Sequence, residues 1–89
     1  MTEFSIEVRV TPRRGILDPQ GKAVGGALAS LGFGGVKEAR VGRLVTFQLD
    51  AASEGEARER ADAMCRQLLA NPVTEDYDVR VQAPAGSVA

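Results

Sequence analysis

A capped turn within residues 15–24 constrains the fold of this chain more than any other feature, because it fixes where a strand pattern gives way to a helix pattern. Residues 3–11 alternate between apolar and polar side chains, which predicts a half-buried strand. Asp18 can accept a hydrogen bond from free backbone N–H groups as a helix N-cap, and Pro19 suits the first helical position. The sequence therefore predicts a strand, a built turn and a helix over 19–31.

The remaining patterns complete an alternating order of strands and helices. Residues 36–41 and 44–50 predict two strands joined by a hairpin, 54–70 predicts a second helix, and 76–82 predicts a last strand. Gly32 is placed to end the first helix. The order β-α-β-β-α-β predicts an α+β ferredoxin-like sandwich, in which a four-stranded antiparallel sheet carries two helices on one face.

Length sets the domain organisation. A chain of 89 residues is enough for one domain, which we place at residues 1–83, with a flexible tail of small residues at 84–89. A domain of this size buries only about 60% of the surface that its unfolded chain exposes. We therefore expect the protein to bury more surface as an oligomer.

Charge, hydropathy and cysteine content argue against several classes of protein. A net charge of −1 argues against binding nucleic acid by phosphate neutralisation. No apolar run approaches the roughly 18 residues of a membrane span, and because the strand pattern begins near Met1 we expect no signal peptide. Cys65 is the only cysteine, which fits a reducing compartment, so we expect a cytoplasmic protein.

The residue types needed for catalysis are scarce. The chain has no histidine, which removes the usual general base near neutral pH and the commonest metal ligand, so we expect no catalytic residue, no metal site and no cofactor in this chain. Cys65 lies on the apolar stripe of the second helix and is expected to pack in the core.

Three uses of a ferredoxin-like domain can be compared at the residue level. Arg13 and Arg14 follow the first strand, as in a phosphate-binding loop, but Pro12 and Pro19 cannot donate backbone hydrogen bonds there. An RNA-binding sheet needs aromatic residues on its open face, and here they share the phase of the core residues. A regulatory module that binds a small molecule remains open.

Four pieces of the sequence, in the same order and spacing, resemble the PurS family, the small subunit of phosphoribosylformylglycinamidine synthase. The first and most specific is the stretch 15–24, GILDPQGKAV. The others are 27–33, 41–43 and a set of short matches within 64–77. The resemblance covers about residues 4–82.

The resemblance implies a non-catalytic subunit of an ATP-dependent ligase in de novo purine biosynthesis. The complex converts formylglycinamide ribonucleotide, ATP and glutamine to formylglycinamidine ribonucleotide, ADP, phosphate and glutamate. Proteins of this family form homo-oligomers, here a dimer or a tetramer. They join a large synthetase subunit, which uses ATP and magnesium, to a glutaminase subunit, and they support ammonia transfer. The alternative is the small-molecule-binding regulatory module.

The resemblance also implies which residues meet partner subunits. The candidates lie in the capped turn, at the predicted hairpin and after the second helix. They are Arg14, Asp18, Pro19, Gln20, Gly21, Arg40, Gly42, Arg43, Asn71, Pro72, Glu75 and Tyr77. Replacing Arg43 with glutamate is expected to weaken assembly and to leave the fold intact.

Overall fold

A computed structural model describes residues 1–82 of the chain, so the predicted tail at 84–89 lies outside the described residues. It contains three strands and two α-helices, the second of which continues into a π-helical turn. The elements are β1 (Thr2–Pro12), α1 (Pro19–Ser30), β2 (Arg43–Ala51), α2 (Glu54–Met64), the π-helical turn (Cys65–Leu69) and β3 (Glu75–Gln82). Both predicted helices are confirmed, with a π-helical end to the second.

The sheet is antiparallel, with strand order β2-β1-β3. Val8 of the central strand lies between Val45 and Val79. The alternation predicted for the first strand is confirmed, because its apolar side chains are buried on one face. The core consists of Phe4, Ile6, Val8, Val10, Leu49, Ala51, Ala57, Ala61, Cys65 and Ala70. Alpha-helix α2 supplies the covering layer, and the expected burial of Cys65 is confirmed.

The predicted four-stranded sheet is wrong, because residues 36–41 do not form a strand. Glu38 has a φ of 51°, which interrupts an extended chain. The backbone N–H of Val41 donates to the carboxylate of Asp18 and so is not free for a strand ladder. Consequently the predicted hairpin is absent, and β2 pairs with β1 instead.

The prediction that both helices cover one face of the sheet is also wrong. Among the described residues, α2 is the helix that packs against the strands. The one buried residue of α1 is Gly21, and its neighbours are Ala39 and Arg40 of the returning chain. Residues 31–42 bring the chain back from α1 to the sheet, and we call them the returning segment. We call residues 13–42, which comprise the turn, α1 and the returning segment, the arm. The protein is correspondingly long and thin, 50 × 34 × 14 Å.

The end of α1 follows the predicted glycine signal. Gly32 has a φ of 94°, and its N–H donates to the carbonyl of Ala29 at 3.1 Å. The N–H of Phe33 donates to the carbonyl of Leu28 at 3.0 Å. These two bonds form a Schellman motif, which satisfies carbonyls that the helix leaves free.

Candidate partner-binding site

The predicted interface residues gather at one end of the sheet, where β1 ends and the other two strands begin. Pro12 pairs with Glu75, and Val10 pairs with both Arg43 and Tyr77. The arm leaves the sheet and returns to it at this same end. We call this end the junction, and it consists of residues 12–22, 38–43 and 69–77.

Asp18 holds the two ends of the arm together. One carboxylate oxygen accepts the N–H of Gly21 at 3.0 Å, which is the predicted N-cap, and the other accepts the N–H of Val41 at 3.0 Å. These two backbone hydrogen bonds, that from Gly21 first, lower the pKa of Asp18. The side chain therefore closes the arm as well as capping α1.

Two glycines of the predicted interface are required by close backbone contacts. A Cβ atom on Gly21 would lie 2.9 Å from the Cα of Arg40 and closer still to the carbonyl oxygen of Ala39. A Cβ atom on Gly42 would collide with the carbonyl oxygen of Val10. Both positions therefore admit no larger residue without a backbone shift. The fold of the chain alone requires glycine at these positions, whether or not a partner binds there.

Two arginines of the arm make different contacts, one with β1 and one within the arm. Arg40 donates to the carbonyl of Pro12 at 3.1 Å, and Arg14 lies 3.4 Å from the carboxylate of Glu38. The Arg14 side chain is 77% exposed. Arg14 pairs with Glu38 but is accessible to a partner protein, whereas Arg40 fixes the arm to the end of β1.

Arg13, which the interface prediction omits, connects the turn to the segment before β3. Its N–H donates to the carbonyl of Thr74 at 2.9 Å, and its guanidinium donates to the carbonyl of Pro72 at 2.6 Å. The guanidinium also lies 3.2 Å from the carboxylate of Asp76. The predicted patches at the turn and after α2 are therefore neighbours.

Arg43 and Glu75 form a bidentate ion pair with N–O distances of 2.8 and 3.0 Å. Arg43 also donates to the carbonyl of Leu69, and Glu75 accepts the N–H of Asn71 at 2.8 Å. The hydrogen bond from Arg43, followed by that from Asn71, lowers the pKa of Glu75. This network ties the start of β2 to the end of the second helix and to β3, so Arg43 has an intrachain role.

The remaining candidates differ in their surroundings. The hydroxyl of Tyr77 donates to Asp62 of α2 at 2.6 Å, and this hydrogen bond raises the pKa of the tyrosine. The side chain of Asn71 accepts the N–H of Val73 at 3.0 Å and so shapes the turn. Pro19 and Gln20 are exposed at the start of α1.

A cleft of about 380 Å³ lies between the start of α1 and the returning segment. Its charged lining consists of Arg13, Arg14, Asp18, Lys22, Glu38 and Arg40, four cations and two anions. Because the four cations outnumber the two carboxylates, the net character of the lining is basic, and the cleft suits an acidic group of a partner. The sequence does not predict Lys22 and Glu38 as site residues, because they line one cleft only after the returning segment packs beside α1.

The described residues were compared with the requirements for a reactive thiol, a metal site and a membrane span. Burial raises the pKa of the Cys65 thiol, the one cysteine, which makes it a poor nucleophile. Within residues 1–82 no group of three His, Cys, Asp or Glu side chains could hold a metal ion. No helix in the same part of the chain is long and apolar enough to cross a membrane.

Comparisons with known proteins identify relatives over nearly the whole chain. The family model PurS, described as phosphoribosylformylglycinamidine (FGAM) synthase, matches residues 5–83. The phosphoribosylformylglycinamidine synthase subunit PurS of Synechocystis is 40% identical, with 96% of this chain and 85% of that protein covered. The subunit of the same name from Bacillus subtilis is 34% identical, with 89% and 93% covered.

Solved structures agree with the sequence relatives. A chain in the structure of PurLQS from Thermotoga maritima has a TM-score of 0.82 at 31% identity, covering 91% of this chain and 99% of that one. Methanocaldococcus jannaschii PurS, described as one of the subunits of formylglycinamide ribonucleotide amidotransferase in the purine biosynthetic pathway, has a TM-score of 0.77 at 32% identity, covering 90% and 96%.

Proposed function

This chain belongs to the PurS family, and we propose that it is the small subunit of a phosphoribosylformylglycinamidine synthase in purine biosynthesis. The observation that carries the proposal is the family match over residues 5–83, which includes the whole junction. The relatives reported above are described as synthase subunits, which favours this function over a small-molecule-binding regulatory module.

The role within the enzyme is to join subunits that do the chemistry. A large synthetase subunit binds ATP, magnesium and the nucleotide substrate, and a glutaminase subunit releases ammonia. Ammonia that escapes into water is diluted and protonated, whereas docked active sites keep its effective concentration high. This chain supports ammonia transfer by holding the two subunits together, and it acts in the cytoplasm.

The junction is the surface that we assign to these partners. Its backbone is held by hydrogen bonds within the chain: the N–H of Val41 donates to Asp18 at the arm, and Arg43 donates to the carbonyl of Leu69 at the strands. The exposed side chain of Arg14 stands on this scaffold at the basic cleft. A backbone held in this way, with exposed charged side chains, suits a protein interface, because little conformational entropy is lost on binding.

The other partner is a second copy of the same chain. Alpha-helix α1 leaves apolar residues such as Val24 and Leu31 exposed, and in the part of the chain that the structure describes α2 is the helix over the sheet. Such a chain gains stability by burying these surfaces in a homo-oligomer.

Co-elution of this chain with its synthetase and glutaminase subunits tests the interface. We expect Arg14→Glu to weaken binding of this chain, with a stronger effect at low salt, because it reverses a charge at the cleft. The matched control is Arg9→Glu, the same reversal on the outer face of the sheet. Weakening by Arg9→Glu and not by Arg14→Glu would move the interface to the outer face.

A further inference from the structure

We propose that the basic cleft beside α1 binds the phosphate group of a small phosphomonoester, either a sugar phosphate or a nucleoside monophosphate. The inference goes beyond the proposed function, which gives this chain partner proteins but no ligand of its own. The juxtaposition that carries it is a set of three cations, from three different segments of the arm, around one cleft of about 380 Å³.

The cations that line the cleft differ in how far their donors are already used. The guanidinium of Arg13 is bound to a carbonyl and a carboxylate near the start of β3. Arg40 uses its Nη1 atom for the carbonyl of Pro12, which leaves its Nη2 donors. Lys22 takes part in no ion pair within residues 1–82, and the side chain of Arg14 is exposed. Three cations, Arg14, Lys22 and Arg40, therefore have donors for a ligand.

The number and origin of these donors favour a phosphate over a carboxylate. Arg14 belongs to the turn, Lys22 to α1 and Arg40 to the returning segment. A carboxylate has two oxygens, and one arginine can bind both. A phosphomonoester has three acceptor oxygens and a charge of about −1.5 to −2 at pH 7, so it is best held by several cationic residues at once.

The two carboxylates of the lining, Asp18 and Glu38, do not close the cleft to an anion. Asp18 accepts the N–H groups of Gly21 and Val41, so its oxygens already have donors. Glu38 lies 3.4 Å from Arg14, and its φ of 51° is uncommon for a residue other than glycine. Because both side chains of this ion pair are largely exposed, the pair is weak, and a phosphate can replace the carboxylate at Arg14.

The rest of the cleft suits a small organic group. Its volume falls within the roughly 300–1,000 Å³ typical of small-molecule sites. Ile16 and Val36 provide exposed apolar side chains in the lining. Gly26 leaves space above α1, since a Cβ atom there would meet nothing within 4 Å. The organic part of a phosphomonoester can therefore lie against apolar surface while the cations hold its phosphate.

The prolines at the two ends of the turn do not prevent this mode of binding. Pro12 and Pro19 lack backbone N–H groups, which argues against a loop that holds phosphate through its backbone. In the cleft the donors are side chains, and Lys22 and Arg40 come from outside the turn. The arginine after β1 thus joins a site that only the folded arm assembles.

Titration of the full chain with adenosine 5′-monophosphate (AMP), followed by NMR of the backbone amides, tests the inference. The synthetase and glutaminase subunits are left out, because a carboxylate of a partner would use the same cations. We expect saturable binding with a Kd below about 1 mM, with the largest shifts at residues 13–26 and 36–40. Adenosine, which lacks the phosphate, is expected to cause no such shifts.

A parallel titration with ribose 5-phosphate distinguishes the two kinds of ligand. Tighter binding of AMP indicates a nucleotide, equal binding indicates a sugar phosphate, and either result supports the proposal. Absence of saturable AMP binding, or equal binding of adenosine, would overturn it.

Two substitutions with opposite expected effects show whether the cleft is the site. We expect Lys22→Gln to raise the Kd for AMP about fivefold or more, because it removes a charged donor. We expect Glu38→Gln to lower this Kd about threefold, because it removes a carboxylate that competes for Arg14. The matched control is Lys37→Gln, which removes the same charge from a residue of the returning segment outside the lining.

The control separates a built site from general attraction between charges. We expect Lys37→Gln to bind AMP as the wild type does, and equal losses in both lysine variants would contradict the cleft as the site. If Lys22→Gln fails to fold, a Glu38→Gln variant that binds AMP no more tightly than the wild type contradicts it as well. A negative titration leaves the proposed function standing, because product formation with the synthetase and glutaminase subunits tests that function separately.

Discussion

Asp18, in the capped turn, has two structural roles. Asp18 caps α1 through Gly21 and also binds the N–H of Val41, which is 23 residues away. The first bond is local, and the sequence predicts it. The second joins distant parts of the chain and explains why Asp18 and the returning segment must be positioned together.

Two glycines of α1 provide a test of this packing. We expect Gly21→Ala to lower the free energy of unfolding by about 1–3 kcal/mol, because the added Cβ collides with backbone atoms of residues 39 and 40. Gly26→Ala is the control, since a Cβ there meets nothing within 4 Å. We expect the control to raise the free energy of unfolding by about 0.5–1 kcal/mol, because alanine is the better helix former.

Urea denaturation at one fixed protein concentration compares the two variants, since association contributes to apparent stability. Equal effects of the two alanines would show that the returning segment does not pack against Gly21.

At the scale of elements, the Arg43–Glu75 pair connects three parts of the chain. It joins β2, β3 and the π-helical turn, whose carbonyl at Leu69 accepts a hydrogen bond from Arg43. The sequence leads us to expect that Arg43→Glu leaves the fold intact, whereas these contacts lead us to expect that it destabilises the fold. A defect in assembly by this variant would combine a lost contact with a loosened junction.

Reversing the ion pair measures how much the Arg43–Glu75 interaction stabilises the fold. We expect Arg43→Glu to lower the melting temperature, because it places two carboxylates together and removes the bond to Leu69. The double variant Arg43→Glu, Glu75→Arg should recover part of the loss, with a coupling energy of about 0.2–1 kcal/mol for this partly exposed pair. Thermal unfolding of the single and double variants gives this coupling, and strictly additive effects would contradict the pair.

The sequence predicts local structure well and the placement of the arm poorly, for a physical reason. Alternation in β1 and the caps at Asp18 and Gly32 depend on neighbouring residues, and the structure confirms them. Whether 36–41 joins a sheet depends on a partner strand that the pattern does not encode. The basic cleft likewise needs contacts between distant segments, so the interface prediction includes Arg14, Asp18 and Arg40 but omits Arg13, Lys22 and Glu38.

At the scale of the whole molecule, the chain has the shape and exposed apolar surface expected of a subunit that associates with other chains. It is 14 Å thick in its shortest dimension, and within residues 1–82 α2 is the helix that packs on the sheet, while large apolar side chains of the arm stay exposed. The described residues provide a basic cleft and a rigid junction, whereas Cys65 is buried and no metal-binding cluster exists among them. These features suit a protein that acts by contact with other chains.

The most direct test of this account is to measure product formation by the purified synthetase and glutaminase subunits, with and without this chain. Two nitrogen sources, glutamine and added ammonia, are compared in parallel. We predict that the glutamine-dependent reaction requires this chain, because only that reaction needs ammonia to pass between two docked subunits. A glutamine-dependent reaction that proceeds equally well without this chain would contradict the proposed coupling role.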